Sequence, residues 1–278
     1  MQTLSAAQRN LWAVDGYLHI PDALTKSEVA FFSEQLDSMR GQPGWEPAVA
    51  PLGHYEWLPR ARDLSNDGFM DRRDLLPYHT AFIDLIDRAN VFDLIVDIMG
   101  PNILFSMSQA IVRQSGPKFK GYTHTDGGEA LRRIRVTETS RPIAMKALYL
   151  LTDVTAPDSG NFTVYPGSHM RPIPDDRVLT PHSPGCVQLL GSAGDCYLFS
   201  HALWHGPSPN YSGRARKTLL YNYCQQFVRW YDFAAVPAVL ERATARQRRL
   251  LGDLGHAFRP GDFFYAPTDQ LQVICGEG

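Results

Sequence analysis

Two residues near the middle of the chain, His124 and Asp126, stand two apart in the segment KGYTHTDGG. Alternate side chains of an extended strand leave the same face, so an imidazole and a carboxylate there point together. One more donor from a neighbouring strand would complete a two-histidine, one-carboxylate facial triad, the arrangement that leaves cis positions open on a mononuclear iron(II) centre. His205, in ALWHG at the end of another strand-like run, is the natural third donor. His201, four residues earlier on what reads as the same strand, competes with it, but only His205 is followed by the glycine, asparagine and arginine pattern. An HxD pair alone is common by chance on polar strand faces, so its meaning depends on these surroundings. After His205 the turn-forming run GPSPNYSG leads to Arg216, which opens a new strand. A hairpin there would set the guanidinium about a co-substrate's length from the metal position, and arginine suits a two-point grip on a carboxylate.

The elements that must position these residues are mostly strands. After Pro101 come short runs rich in β-branched and aromatic residues, bounded by Gly, Pro, Asn, Asp and Ser: ILFSMSQAIVR, KGYTHTD, IAMKALYLLTDV, GNFTVYPGS, CVQLLG, DCYLFSHALWH and KTLLYNYCQQFVRW. Their spacing suits an antiparallel jelly-roll sandwich or barrel, and no strand–helix alternation of Rossmann or TIM type interrupts them. The first hundred residues read mainly as helix. Ser5 with Gln8 and Thr25 with Glu28 form capping boxes, and HTAFIDLIDRA and VFDLIVDIMG follow at helical spacing, the second stopping at Gly100 and Pro101. The stretch GQPGWEPAVAPLGHYEWLPRARDL shows no period and reads as an irregular connection. VPAVLERATARQRRLLGDLG, with Pro237 near its start, reads as one outer helix. The expectation is a single domain over 1–278: a mostly helical part to residue 100, a jelly-roll core over 101–232, and a C-terminal helix and tail over 233–278.

The ordered set HTD, LYLLTDVTAPDSGNFTVYPGSH and WHGPSPNYSGRARK, with the opening DGYLHIPDALTKSEVAFF, resembles the phytanoyl-CoA dioxygenase family of iron(II)- and 2-oxoglutarate-dependent oxygenases over most of residues 10–225. The resemblance implies a mainly β fold with peripheral helices around a double-stranded β-helix (jelly-roll, cupin-like) core. It implies Fe(II) held by His124, Asp126 and His205, 2-oxoglutarate as co-substrate with Arg216 at its distal carboxylate, and O2 as oxidant. Gln109, Tyr149 and Thr163 align with positions that commonly line the co-substrate pocket. The chain departs from the pattern at Thr125, where many members carry glutamine, at the two glycines after Asp126, and in the length of GGEALRRIRVTETSRP. His169 of PGSH reads as a loop-orienting residue rather than a ligand.

Composition narrows the partners. Hydrophobic residues at 44% and charged residues at 20% do not indicate disorder, and a net charge of −2 with basic and acidic residues mixed along the chain leaves no footprint for nucleic acid or an anionic membrane. A small-molecule substrate, with specialised metabolites among the candidates, is expected instead. The four cysteines show no CxxC spacing. No apolar run approaches the roughly 18 residues that span a bilayer, and MQTLSAAQRNLW lacks a signal-peptide layout, so the expected location is cytoplasmic. Candidate substrate contacts are Trp45, Tyr55, Trp57, Arg113, Tyr122, Arg229 and Trp230, with a basic loop at Arg132, Arg133 and Arg135 that could cover the barrel mouth. The rival reading is a cupin-like metal isomerase, lyase or hydrolase using the same ligands with zinc or manganese, which would need no carboxylate anchor at Arg216.

Overall fold

The computed structural model describes residues 1–40, 70–127, 134, 137, 139–171, 178–229 and 236–276. Among them the strands are β1 (Tyr17–Ile20), β2 (Met70–Arg73), β3 (Ile103–Arg113), β4 (Ala144–Leu150), β5 (Phe162–Val164), β6 (Val187–Gln188), β7 (Cys196–Ser200), β8 (His205–Pro207) and β9 (Arg216–Gln225). They form a six-stranded sheet in the order β1-β7-β4-β9-β3-β2 and a three-stranded sheet in the order β6-β5-β8, all neighbours antiparallel. This is the jelly-roll arrangement expected from the strand spacing.

The inner face of the large sheet packs on the small one through Met107, Leu148, Leu150, Phe162, Val164, Tyr197, Phe199 and Leu220. Its outer face carries Phe105, Met145, Ala147, Tyr149, Leu198, Leu219, Tyr221 and Tyr223 into a larger core shared with the helices. Both faces are therefore buried, which is why these strands read as nearly continuous apolar runs. The helical layer contains α1 (Ala6–Asp15), α2 (Lys26–Arg40), α3 (Thr80–Asp84) and α4 (Ala89–Met99). Tyr221 and Tyr223 donate from their hydroxyls to the carbonyls of Phe82 and Ile86, tying β9 to this layer.

Both capping boxes form: Ser5 and Gln8 bond reciprocally, as do Thr25 and Glu28. Other elements differ from the sequence reading. The mostly helical first hundred residues also supply both edge strands of the large sheet, β1 against β7 and β2 against β3. The single C-terminal helix is two short ones, α5 (Pro237–Leu240) and α6 (Ala245–Leu250), because Thr244 and Gln247 make a capping box that starts a new helix. A further helix, α7 (Gln270–Cys275), follows. Val239, Leu250 and Ile274 from these three join the outer core. No helix among the described residues is long and apolar enough to cross a membrane.

Candidate active site

The HxD segment does not form a regular strand. It lies beside β8 through one bridge, His124 N to His205 O at 2.7 Å and His205 N to His124 O at 2.9 Å, extended by Tyr122 N to Pro207 O. Gly206 permits this approach: a Cβ there would stand 1.8 Å from the Tyr122 carbonyl oxygen. The glycine of the HG pair is thus a packing requirement of the site. Ser168, in the PGSH loop, accepts from Trp204 N, and Tyr165 N donates to Trp204 O, fixing the residue before His205. His169 is buried with its ring against Gly16, at the end of α1, away from the triad.

His124 Nε2 lies 3.9 Å and His205 Nε2 3.8 Å from the same carboxylate oxygen, Asp126 Oδ1, and the three donor atoms fall within 4.8 Å of one another. His205 Nδ1 stands 2.8 Å from the Leu203 carbonyl, so that nitrogen carries the proton and Nε2 keeps its lone pair. Burial, together with mutual repulsion and the nearby Lys146 ammonium, holds the His124 imidazole well below its ordinary pKa, and burial lowers that of His205 as well. Burial alone would raise the Asp126 carboxyl, but Lys146 and the two histidines outweigh it and drive it down. The result is two neutral imidazoles and one carboxylate, the protonation state a metal requires. Asp126 Oδ2 and His124 Nδ1 are buried without a hydrogen-bond partner among the described residues. The donor set, its spacing and its protonation fit a divalent metal.

His201 is buried off this cluster, its ring nitrogens 3.0 Å from the Ala144 carbonyl and 3.3 Å from that of Ile134. A turn, Leu203 N to Ser200 O, separates β7 from β8, so the two histidines do not share a strand face as the sequence suggested.

Arg216 begins β9, opposite Arg113 in the register with β3. It shares the inner face with Thr218, Leu220 and Asn222, and it is 5% exposed. Its Nε and the Thr218 hydroxyl have no partner among the described residues. Burial first, then the Arg113 charge, pushes its guanidinium down to about 9. The preceding turn is built by Asn210, which donates to the Arg113 and Arg214 carbonyls and accepts from the Ser212 N–H and hydroxyl.

The remaining pocket candidates divide. Gln109 shares the inner face with Met107 and Ile111 because a bulge between Phe105 and Met107 resets the alternation of β3; its amide donates to Asp71 Oδ1, which also accepts from Arg73 Nε. Tyr149 and Thr163 face the other way. Tyr149 lies among the outer core residues, edge-on to Tyr221 at 6.1 Å, because it alternates with the inward Leu148 and Leu150. Thr163 sits between the inward Phe162 and Val164, and its hydroxyl donates to the Gly206 carbonyl at 2.9 Å. Neither side chain lines the interior. Tyr122 is half exposed with its ring 5.4 Å from that of His124, and Arg113 stacks 3.5 Å over the Phe119 ring. Arg229 is exposed. Trp45, Tyr55, Trp57, Trp230, Arg132, Arg133 and Arg135 lie outside the described residues.

One site residue escaped the sequence reading. Lys146, on the inner face of β4 between Phe199 and Asn222, donates to Asp126 Oδ1 at 2.6 Å with 12% of its side chain exposed. Its signal was a lone charge in the apolar run IAMKALYLL.

The model of the phytanoyl-CoA dioxygenase family matches residues 12–218. The chain belongs to this family. It is accordingly an oxygenase of the iron(II)- and 2-oxoglutarate-dependent class, with iron as its metal, 2-oxoglutarate as co-substrate and O2 as oxidant. A search of curated proteins finds no match. Among solved structures the chain is similar to HygX from Streptomyces hygroscopicus with nickel and 2-oxoglutarate bound, at 18% identity and a TM-score of 0.64, over 83% of this chain and 90% of that one. HygX with nickel, 2-oxoglutarate and hygromycin B bound matches at 21% identity and 0.63, over 82% and 90%. SnoK, a non-heme α-ketoglutarate-dependent carbocyclase from nogalamycin biosynthesis, matches at 19% identity and 0.57, over 80% and 85%. At these identities the likeness concerns the fold.

Proposed function

We propose that the protein hydroxylates a C–H bond of a small-molecule metabolite, with succinate and CO2 as the other products. In this reading His124, Asp126 and His205 hold the iron and Arg216 receives the distal carboxylate of 2-oxoglutarate. The observation that carries it is the pairing of a neutral two-histidine, one-carboxylate cluster with a buried guanidinium whose Nε has no partner among the described residues, on the same inner surface. A buried cation without a counter-charge is costly unless a ligand supplies one, and 2-oxoglutarate brings a carboxylate to each end. The metal–isomerase alternative gives Arg216 no task. That HygX holds nickel, 2-oxoglutarate and hygromycin B in one crystal structure supports a small-molecule substrate beside the co-substrate.

Bound iron would supply the coupling of O2 reduction to oxidative decarboxylation of the 2-oxo acid. The protein's own residues do the rest. His205 is aimed by its Nδ1–H bond to Leu203, and Asp126 stays ionised at neutral pH. Arg216, with the Thr218 hydroxyl beside it on β9, orients the co-substrate along the barrel, and the apolar wall of Leu148, Leu150, Phe162 and Phe199 keeps water scarce. The test is anaerobic titration with Fe(II) and 2-oxoglutarate, followed by oxygen and a metabolite screen for succinate release. A weak visible charge-transfer band at one equivalent of each, and succinate on turnover, are the expected results. A protein that binds metal but shows neither band nor succinate would support the isomerase, lyase or hydrolase class.

A further inference from the structure

Lys146 presents a charge problem that the reaction as proposed does not use. Its ammonium contacts Asp126 Oδ1, the oxygen that also faces both imidazoles, while the other carboxylate oxygen is buried and has no partner among the described residues. Lys146 therefore stands beside the metal position rather than behind the carboxylate. A dication bound by Asp126 draws on that same oxygen, so the lysine would then border a centre that is positive on balance. At the metal end, Asp126 and Lys146 with a dication and two neutral imidazoles carry two net positive charges. The co-substrate's near carboxylate offsets one of them. One positive charge remains, and it lies at the metal end, because the distal carboxylate is already matched by Arg216.

The next register step along the strands is apolar. Ala144 lies opposite Cys224 and clusters with Leu104, Val228 and Phe263. That step is closed, with Leu104, Ala144 and Cys224 buried under Val228 and Phe263, so the cation beside the metal position is what a ligand would meet there: a receptor for an acid group.

We propose that the primary substrate carries a carboxylate that is received by Lys146. This inference rests on the iron and 2-oxoglutarate reading and deepens it. Hexanoate and its neutral counterpart hexanamide are suitable probes, added anaerobically to protein loaded with Fe(II) and 2-oxoglutarate. Paramagnetic relaxation of the probe protons reports binding near the metal, and the visible chelate band reports the loaded centre separately. Wild-type protein should bind hexanoate about tenfold or more tightly than hexanamide, the range of a charge-assisted hydrogen bond. Lys146→Met should lose that preference and Lys146→Arg should keep it, with the chelate band present in all three. Hexanoate that fails to bind wild type, or binds Lys146→Met equally well, overturns the proposal. So does loss of the chelate band in Lys146→Met alone, which would make Lys146 a residue that orients Asp126 for the metal. Absence of the band from the wild-type protein would instead overturn the parent reading, and this one with it.

Discussion

At the His205 end of the barrel, the buried carboxylate of Asp126 has its counter-charge within the chain, in Lys146 at 2.6 Å, and its histidines are held neutral. At the opposite end Arg216 is as deeply buried, yet its neighbour across the register is another arginine and its Nε has no partner among the described residues. The first end is a set of donors whose charges nearly cancel before any ligand arrives. The second is an open demand for an anion. Removing a group should therefore have opposite consequences for stability at the two ends, while both impair function.

The largest effect is expected at the metal end. His205→Ala removes one of three donors and leaves a site that holds a divalent ion weakly, so Fe(II) affinity should fall by about a hundredfold or more, read by equilibrium titration under anaerobic conditions. His201→Ala should leave that affinity nearly intact, since its ring is occupied with backbone carbonyls. The reverse outcome would move the third ligand to His201 and remove the contrast between the two ends.

Arg216→Met is the intermediate case and the sharper one. The substitution takes away a charge-assisted contact worth about 1.5–3 kcal/mol, so 2-oxoglutarate affinity should drop roughly tenfold to a hundredfold while metal affinity changes little. It also replaces an unpaired buried cation by an apolar chain of similar length, so the protein without co-substrate should melt at a higher temperature than wild type. A lowered melting temperature would mean that the guanidinium already has a counter-charge and that the two ends are alike.

The parts of this site that were legible in sequence are those fixed by short spacing. His124 and Asp126 share a side because they stand two apart, even though the segment forms one bridge rather than a strand. Arg216 is delivered by a turn whose Asn210 and Ser212 are visible as turn formers. What was not legible depends on which face of a strand a residue takes. In β4 both faces are buried, so AMKALYL has no amphipathic alternation to say that Tyr149 points out and Lys146 in. In β3 the bulge after Phe105 reverses the alternation, and only pairing with β9 shows where. β2 went unseen for a related reason: Met70–Arg73 is short and polar, and both its arginines are buried by tertiary packing. The break in the C-terminal helix did have a signal, the Thr244–Gln247 capping box, masked by the apolar periodicity on either side.

The smallest functional effects are expected where the strand faces point outward, and there stability should distinguish two residues that sequence alignment treats alike. Thr163→Val and Tyr149→Phe each delete one hydroxyl from a fully buried position. Because neither side chain faces the interior, the 2-oxoglutarate affinity of both variants should stay within about twofold of wild type, far below the loss from a direct hydrogen bond. Their stabilities should part company. The Thr163 hydroxyl donates to the Gly206 carbonyl, so Thr163→Val leaves that carbonyl with one acceptor interaction fewer beside the HxD bridge and should cost about 1 kcal/mol. The Tyr149 hydroxyl is buried with no partner among the described residues, so Tyr149→Phe removes an unsatisfied group from an apolar surrounding and should be neutral or stabilising. Chemical denaturation of the two variants against wild type measures the difference. A tenfold loss of 2-oxoglutarate affinity in Tyr149→Phe would show that β4 presents its other face to the barrel, which would turn Lys146 away from Asp126 and dissolve the charge balance of the metal end.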